Sequence, residues 1–128
     1  MKKVIIYSRI AVLDDIEGLN PLNRQEEELI AHCRANNYQI IGAYREIYSG
    51  STIERPEWSK IKSYIKNTPG EIDTVLSTDF NRIARSQFLL MNEIEVFKGF
   101  GVEIQTTLEI GQLDYSEILK YCPIIEEE

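Results

Sequence analysis

The sequence has little of what metal sites, disulfide frameworks and membrane spans require. It contains one histidine and two cysteines, which are too few for a structural zinc site or a disulfide framework. Unpaired cysteines are typical of the reducing cytoplasm, which is the predicted location. No apolar run approaches the roughly 18 residues of a membrane span, and Arg9 interrupts the apolar start that a signal peptide would need. We therefore expect no metal, no cofactor and no membrane partner.

The sequence also lacks the positive charge of a simple nucleic-acid binder. Its 128 residues include 14 Lys and Arg against 21 Asp and Glu, a net charge of -7. Residues 1–107 carry 13 basic and 15 acidic groups, whereas residues 108–128 carry 1 and 6. The main body is therefore almost neutral and can still present basic groups locally. The length and the 43% share of hydrophobic residues suit one globular domain with a packed core.

What the sequence does contain is a regular alternation of strand-like and helical segments. Apolar, β-branched runs predict strands at residues 3–10, 38–47, 73–77 and 102–106. Between them, apolar residues recur at helical spacing after Asn20-Pro21, after Pro56 and over residues 88–97. Parallel strands need crossover helices, so we predict a three-layer α/β fold with a mostly parallel sheet of about four strands and helices on both faces. This unit is assigned to residues 1–107, followed by an acidic segment at 108–128 with one short helix at 115–121.

Arginines follow three of the four predicted strands. Arg9 ends the first strand, Arg55 lies after the second, and Arg82 and Arg85 follow the third. In open parallel sheets the binding site lies beyond the carboxyl ends of the strands, and guanidinium groups bind phosphate and carboxylate well. No glycine-rich phosphate loop is present, which counts against a Rossmann or P-loop nucleotide site. The pattern predicts an anion site that is formed by arginine side chains.

Four segments resemble the motifs of one family of DNA enzymes. Residues 7–11 (YSRIA) resemble Y-x-R-x-S, and residues 22–25 (LNRQ) resemble L-x-x-Q. Residues 49–56 (SGSTIERP) resemble S-G-x-x-x-x-R-P, and residues 81–85 (NRIAR) resemble D-R-L-x-R. In this order and spacing they are similar to the N-terminal catalytic domain of the serine site-specific recombinases, the resolvase and invertase family. The resemblance covers roughly residues 3–107 and implies a resolvase-like fold.

The resemblance further implies a role in DNA strand exchange and DNA integration. In this family a serine hydroxyl attacks the scissile phosphate and forms a phosphoserine bond, while arginines stabilise the developing charge without a metal. The implied partners are DNA and other recombinase subunits in a dimer or tetramer. The positions that match the family's phosphate-binding arginines are Arg9, Arg55, Arg82 and Arg85. The positions that match its supporting polar contacts are Tyr7, Gln25 and Ser49.

Three positions depart from the family's pattern. The nucleophile position is Ala11, whose methyl group cannot attack phosphorus. The aspartate that opens D-R-L-x-R is Asn81, whose amide does not exchange a proton at neutral pH. Asp79 stands where the family often has lysine, and its charge has the wrong sign for DNA. These departures predict a recombinase-type domain that does not cleave DNA by the family's mechanism.

Other hydroxyls and other functions remain open alternatives. Strand alternation places Ser8 on the face opposite Arg9, unless a bulge turns it, and Ser49 and Ser51 have no neighbouring base. The chain could instead be a non-enzymatic regulatory or interaction module, or an anion- or nucleotide-binding domain that is unrelated to DNA. We expect residues 108–128 to supply neither the family's long dimer helix nor a DNA-reading element, because only about seven of them have a helical pattern.

Overall fold

The computed structural model of the protein describes residues 1–11, 19–48 and 55–107. Four strands alternate with three helices, and the bounds are β1 (Lys3–Ile10), α1 (Leu19–Ala35), β2 (Gln39–Ile47), α2 (Pro56–Asn67), β3 (Thr74–Ser77), α3 (Gln87–Gly99) and β4 (Glu103–Thr106). A 3₁₀ turn (Phe80–Arg82) lies between β3 and α3. The strands form one parallel sheet in the order β2-β1-β3-β4. The predicted α/β architecture is confirmed.

The central strand β1 is buried along most of its length because both of its faces are covered. Val4 and Ile6 pack against α1 on one face, and Ile5 and Tyr7 belong to the core that α2 and α3 form on the other. A strand that is apolar on both faces has a continuous apolar sequence, which explains why residues 3–10 show no alternation. The three layers are therefore α1, the sheet, and the pair α2 and α3.

Aromatic rings join the sheet to the second helix layer. The rings of Trp58 and Phe97 stack with centroids 5.1 Å apart, and Tyr7 meets Trp58 edge-on at 4.9 Å. These three residues come from α2, α3 and β1. They fix the start of α2 against the end of β1, which is where the arginines gather.

Some element boundaries differ from the sequence prediction. Helix α1 begins at Leu19, so Asn20 lies inside the helix and not at the predicted position before it, and Pro21 falls in the first turn, where a missing N–H costs little. Helix α3 is longer than predicted, and the hydroxyl of Ser86 accepts a hydrogen bond from the backbone N–H of Leu89 at its start. The predicted short helix at 115–121 lies outside the described residues, and the division at residue 107 stays a prediction.

The sequence of residues 78–85 suggests a polar connection after β3, but the structure gives this connection a buried apolar side. Phe80, Ile83 and Ala84 are fully buried against the α2 and α3 layer. Their burial turns the neighbouring Arg82 towards the carboxyl end of the sheet. In the part of the chain that the structure describes, no helix is long and apolar enough to cross a membrane.

Candidate anion site at the carboxyl end of the sheet

The carboxyl ends of β1, β2 and β3 meet at one end of the sheet, as parallel strands require. Arg9 is the penultimate residue of β1, and Tyr48 directly follows β2. The 3₁₀ turn after β3 passes close by, and Arg82 Nη1 lies 3.4 Å from the backbone oxygen of Arg9. The sequence-predicted residues of β1 and of the turn are therefore brought together.

The side chain of Arg9 joins three segments of backbone. Its Nε donates to the carbonyl of Arg82 at 2.9 Å, Nη1 to that of Tyr48 at 2.7 Å, and Nη2 to that of Asn81 at 2.6 Å. These bonds engage three of the five N–H groups of a guanidinium. Arg9 is also only 3% exposed. In this arrangement Arg9 acts as a clamp on the site, and direct contact between Arg9 and a phosphate remains a prediction.

The electrostatic surroundings of Arg9 place the four predicted arginines at the same end of the sheet. Burial is the largest cause that lowers the pKa of Arg9, to about 10, and repulsion from Arg55, Arg82 and Arg85 contributes further. Since this pKa is still far above neutrality, Arg9 keeps its charge at pH 7. The fold therefore holds a concentrated positive charge where an anion site was predicted.

Arg55 lies deeper than the other arginines. It is fully buried, and its guanidinium carbon lies 5.6 Å and 5.5 Å from the ring centroids of Tyr7 and Trp58. Nη2 donates to the carbonyl of Ile83, whereas Nε and Nη1 have no hydrogen-bond partner among the described residues. Burial lowers the pKa of Arg55, and the nearby carboxylate of Glu46 opposes this effect. Arg55 thus supplies positive charge from below the surface of the site.

Glu46, near the end of β2, is a member of the site that the sequence reasoning missed. Its carboxylate accepts hydrogen bonds from the hydroxyl of Tyr7 at 2.7 Å and from the backbone N–H groups of Glu57 and Trp58 at 2.8 Å and 3.1 Å. It also lies 3.9 Å from Arg55 Nε. Glu46 therefore stabilises the first turn of α2 and holds Arg55 in place. From the sequence, Glu46 resembles an ordinary surface carboxylate of a strand, so nothing in the sequence indicates that it binds Tyr7 and α2.

Tyr7 was predicted as a supporting phosphate contact, and the structure places it beneath the site. It is fully buried, and its hydroxyl donates to Glu46. Burial is the main cause that raises the pKa of Tyr7 far above the ordinary value of 10.0. Tyr7 therefore remains a neutral hydrogen-bond donor whose function in this arrangement is to hold Glu46.

Gln25 connects α1 to the end of β1. Its Oε1 accepts from the backbone N–H of Arg9 at 2.9 Å, and its Nε2 donates to the backbone oxygen of Arg9 at 3.0 Å. Gln25 therefore holds the backbone of Arg9.

Ala11, at the family's nucleophile position, lies two residues after Arg9 and is exposed, as is Asn81. Ser8 is 1% exposed, which leaves its hydroxyl out of reach of a DNA phosphate in this arrangement. Ser49, also predicted in the site, lies outside the described residues.

An open cavity of about 280 Å³ lies between α1 and the segment after β3. Its lining residues are Pro21, Arg24, Gln25, Glu28, Thr78, Asp79 and Arg82. The Arg82 side chain is 35% exposed, and its Nε lies 3.7 Å from Asp79 Oδ2. Arg85 is exposed. Arg82 and Arg85 are therefore the predicted arginines that a ligand can reach directly.

The described residues offer no arrangement for a metal ion. Within residues 1–11, 19–48 and 55–107 there is no group of three or more His, Cys, Asp or Glu side chains that could hold one. The side chains described at this end of the sheet include guanidinium and amide donors. Such donors bind an oxyanion and stabilise charge on it.

Comparison with known proteins addresses the family and the fold of this chain. The family model for the resolvase N-terminal domain matches residues 4–118. The N-terminal catalytic domain of TP901-1 integrase is 26% identical over 82% of this chain and 77% of its own, with a TM-score of 0.74. A resolvase family site-specific recombinase from Streptococcus pneumoniae is 22% identical over 84% and 73%, with a TM-score of 0.72.

A third similar structure is the C-terminal catalytic domain of ISC1926 TnpA, an IS607-like serine recombinase. It is 24% identical over 92% of this chain and 76% of its own, with a TM-score of 0.72. At their lower identities, this structure and the Streptococcus pneumoniae structure support the fold alone. All three have the α/β architecture that positions the arginines described above.

Proposed function

This chain belongs to the resolvase family, and from that premise we propose that it is a recombinase-type domain that binds the phosphates of DNA but does not cleave DNA. The observation that carries the proposal is the end of β1. There Arg9 is held by three backbone carbonyls, whereas the exposed residue two positions later is Ala11. The arginine arrangement is present, and the oxygen nucleophile is absent from the family's position.

Binding of DNA phosphate is supported by the difference between the arginines. Arg9 and Arg55 are buried and shape the site, while Arg82 and Arg85 have surface that a phosphate can reach. Guanidinium groups bind phosphate through charge-assisted hydrogen bonds, and the buried cations add an attraction that water screens only partly. DNA is therefore the proposed partner, together with other recombinase subunits.

Loss of cleavage is supported by the chemistry of three side chains. Ala11 has no hydroxyl, Asn81 cannot exchange a proton at neutral pH, and Ser8 is buried. Without an oxygen that attacks phosphorus, no phosphoserine bond forms. Removal of a catalytic serine abolishes covalent catalysis, with losses on the order of a million-fold in a protease that uses one.

A covalent trapping experiment tests this function. The chain is incubated with supercoiled plasmid DNA that carries its flanking genomic sequence, denatured, and separated on a gel. We expect no protein–DNA adduct from this chain, and an adduct from the double variant Ala11→Ser, Asn81→Asp on the same DNA. An adduct formed by the unaltered chain would contradict the proposal.

A second candidate function is a regulatory module that pairs with an active recombinase subunit. The observation in its favour is α3, where Phe88 is 63% exposed and Leu89 and Met91 are only partly buried. A contiguous exposed apolar patch can mark an interaction surface, and Phe88 would be the centre of such a patch. Sedimentation of the chain with and without Phe88→Ser tests it, because loss of self-association or of pairing in the variant would support this function.

The remaining alternative, an anion- or nucleotide-binding domain unrelated to DNA, makes a different prediction. A ligand that binds only the folded state raises the melting temperature. If phosphate or a nucleotide raises the melting temperature of the chain and duplex DNA does not, this alternative replaces the DNA function.

A further inference from the structure

The carboxylate of Asp79 lies beside Arg82, one of the two arginines that a ligand can reach. Asp79 Oδ2 lies 3.7 Å from Arg82 Nε, and both residues line the same open cavity. This is a charge contact without a hydrogen bond, because Arg82 Nε has no hydrogen-bond partner among the described residues. The same is true of Asp79 Oδ1. Both of these atoms are buried, so the pair is held by charge and not by a hydrogen bond.

Among the described residues, the Asp79 side chain makes no hydrogen bond that would explain its position. It precedes the 3₁₀ turn, but its side chain makes no capping hydrogen bond to that turn. Glu28, the other carboxylate in the cavity lining, differs in this respect, since it accepts a hydrogen bond of 2.7 Å from the hydroxyl of Thr107. Asp79 is thus the carboxylate whose main interaction in the described structure is with the charge of Arg82.

We propose that Asp79 is an internal counter-anion that competes with DNA phosphate for Arg82 and thereby sets the phosphate affinity of this domain. The inference rests on the proposed phosphate-binding function. A phosphate that approaches Arg82 through the cavity meets the repulsion of a carboxylate within 4 Å of the same guanidinium. Asp79 therefore weakens binding without altering the fold.

The size of the effect follows from the exposure of the pair. The side chains of Arg82 and Asp79 are 35% and 26% exposed, so water and salt screen their interaction. Partly exposed ion pairs have interaction energies that correspond to changes in affinity of a few fold. We expect Asp79→Asn, which keeps the side-chain shape, to bind duplex DNA roughly fivefold more tightly at low salt. The gain should shrink as salt is raised.

The experiment measures the Kd of a short fluorescent DNA duplex by anisotropy at several salt concentrations. Two matched controls remove one negative charge elsewhere. Glu71→Gln does so at an exposed position next to the amino-terminal end of β3, and Glu28→Gln does so in the cavity itself. Circular dichroism and melting temperature confirm that each variant is folded. We expect the largest gain in Asp79→Asn and almost none in Glu71→Gln.

The double variant Asp79→Asn, Arg82→Gln separates competition for Arg82 from a general charge effect. If Asp79 acts through Arg82, removal of Asp79 gives no gain in the Arg82→Gln background. The inference is overturned if the gain persists in that background, if Glu71→Gln gives the same gain, or if Asp79→Asn gives none. When the unaltered chain binds DNA in a salt-dependent way, such a result overturns this inference alone. If neither the chain nor Asp79→Asn binds DNA, the proposed function fails as well.

Discussion

At the scale of single residues, the arginines of this domain differ in how the fold holds them. Arg9 and Arg55 are buried; Arg9 donates to backbone carbonyls, and the guanidinium of Arg55 lies beside two aromatic rings. Arg82 and Arg85 have surface exposed to solvent. Buried charges are costly unless they have partners. Arg9 donates to three carbonyls, whereas Arg55 donates to one and has the carboxylate of Glu46 at 3.9 Å. We therefore expect Arg9 and Arg55 to contribute mainly to stability, and the proposed ligand contact falls to Arg82 and Arg85.

Arg9→Ala tests whether the Arg9 side chain holds three backbone segments together. The change leaves the carbonyls of Tyr48, Asn81 and Arg82 without their donor. These hydrogen bonds are part-buried, and a lost hydrogen bond of a charged group costs about 1.5–3 kcal/mol, so we expect the free energy of unfolding to fall by about 3 kcal/mol. Urea denaturation gives this value, with Arg34→Ala at an exposed position of α1 as the control, expected to change it by less than about 0.5 kcal/mol. If Arg9→Ala also changes the free energy of unfolding by less than about 0.5 kcal/mol, Arg9 does not stabilise the fold in this way.

Tyr7 gives the site a predicted pH dependence. The folded state holds the pKa of Tyr7 above its ordinary value of 10.0. A raised folded pKa means that stability is fully present below about pH 10 and is lost as the pH rises, because the unfolded state releases the proton first. The stability advantage of the native chain over Tyr7→Phe should therefore shrink above that pH. Urea denaturation at neutral and alkaline pH measures the difference, and an advantage independent of pH would show that the hydroxyl is not buried.

At the scale of elements, α2 and α3 are joined by a buried polar contact as well as by aromatic packing. Glu93 of α3 is 2% exposed. Its Oε1 accepts a hydrogen bond from Trp58 Nε1 at 2.8 Å and lies 2.7 Å from Lys62 Nζ. These contacts orient the indole ring that lies beside Arg55. The position of the buried arginine thus depends on the pairing of two helices that are distant in sequence.

Glu93→Ala tests that pairing. It leaves the indole N–H without its acceptor and Lys62 without its charge partner, so we expect a loss of about 3 kcal/mol in the free energy of unfolding. The tryptophan fluorescence of the folded protein should also change, since Trp58 is the single tryptophan. Asn92→Ala, at an exposed position of the same helix, is the control and should leave both properties unchanged. Equal behaviour of the two variants would disprove the role of Glu93.

The elements themselves could be predicted from the sequence, whereas several contacts in the site could not. Continuous apolar runs identify buried parallel strands, and Pro56 identifies the first residue of α2. Glu46 and Glu93 look like surface carboxylates because their partners come from other elements. The partners of Arg9 are backbone carbonyls, which carry no residue-specific signal. Sequence motifs located the arginines but could not show which of them a ligand can reach.

At the scale of the whole molecule, the net charge of -7 does not describe the end of the sheet. Four arginines gather there, and Asp79 forms an ion pair with one of them, Arg82. Binding to DNA through a few phosphate contacts depends steeply on salt, because condensed counterions are released. The affinity of this domain should therefore be set by local charge and not by the total.

The salt dependence of DNA binding tests this account of charge. Arg82→Gln and Arg85→Gln should each weaken duplex binding and reduce the slope of log affinity against log salt by about one. Arg34→Gln, at the end of α1 away from the site, should leave the slope unchanged. Anisotropy measurements over a range of salt give all the slopes. Equal slopes for the three variants would place the DNA contact elsewhere.

The most direct test of the central claim is the intact mass of the protein after it has met DNA. The chain is incubated with supercoiled plasmid that carries its flanking sequence, quenched, digested with nuclease and analysed by mass spectrometry. The account predicts an unchanged protein mass, because Ala11 leaves no hydroxyl at the nucleophile position. A protein mass increased by a residual nucleotide, mapped to any serine of the chain, would contradict it.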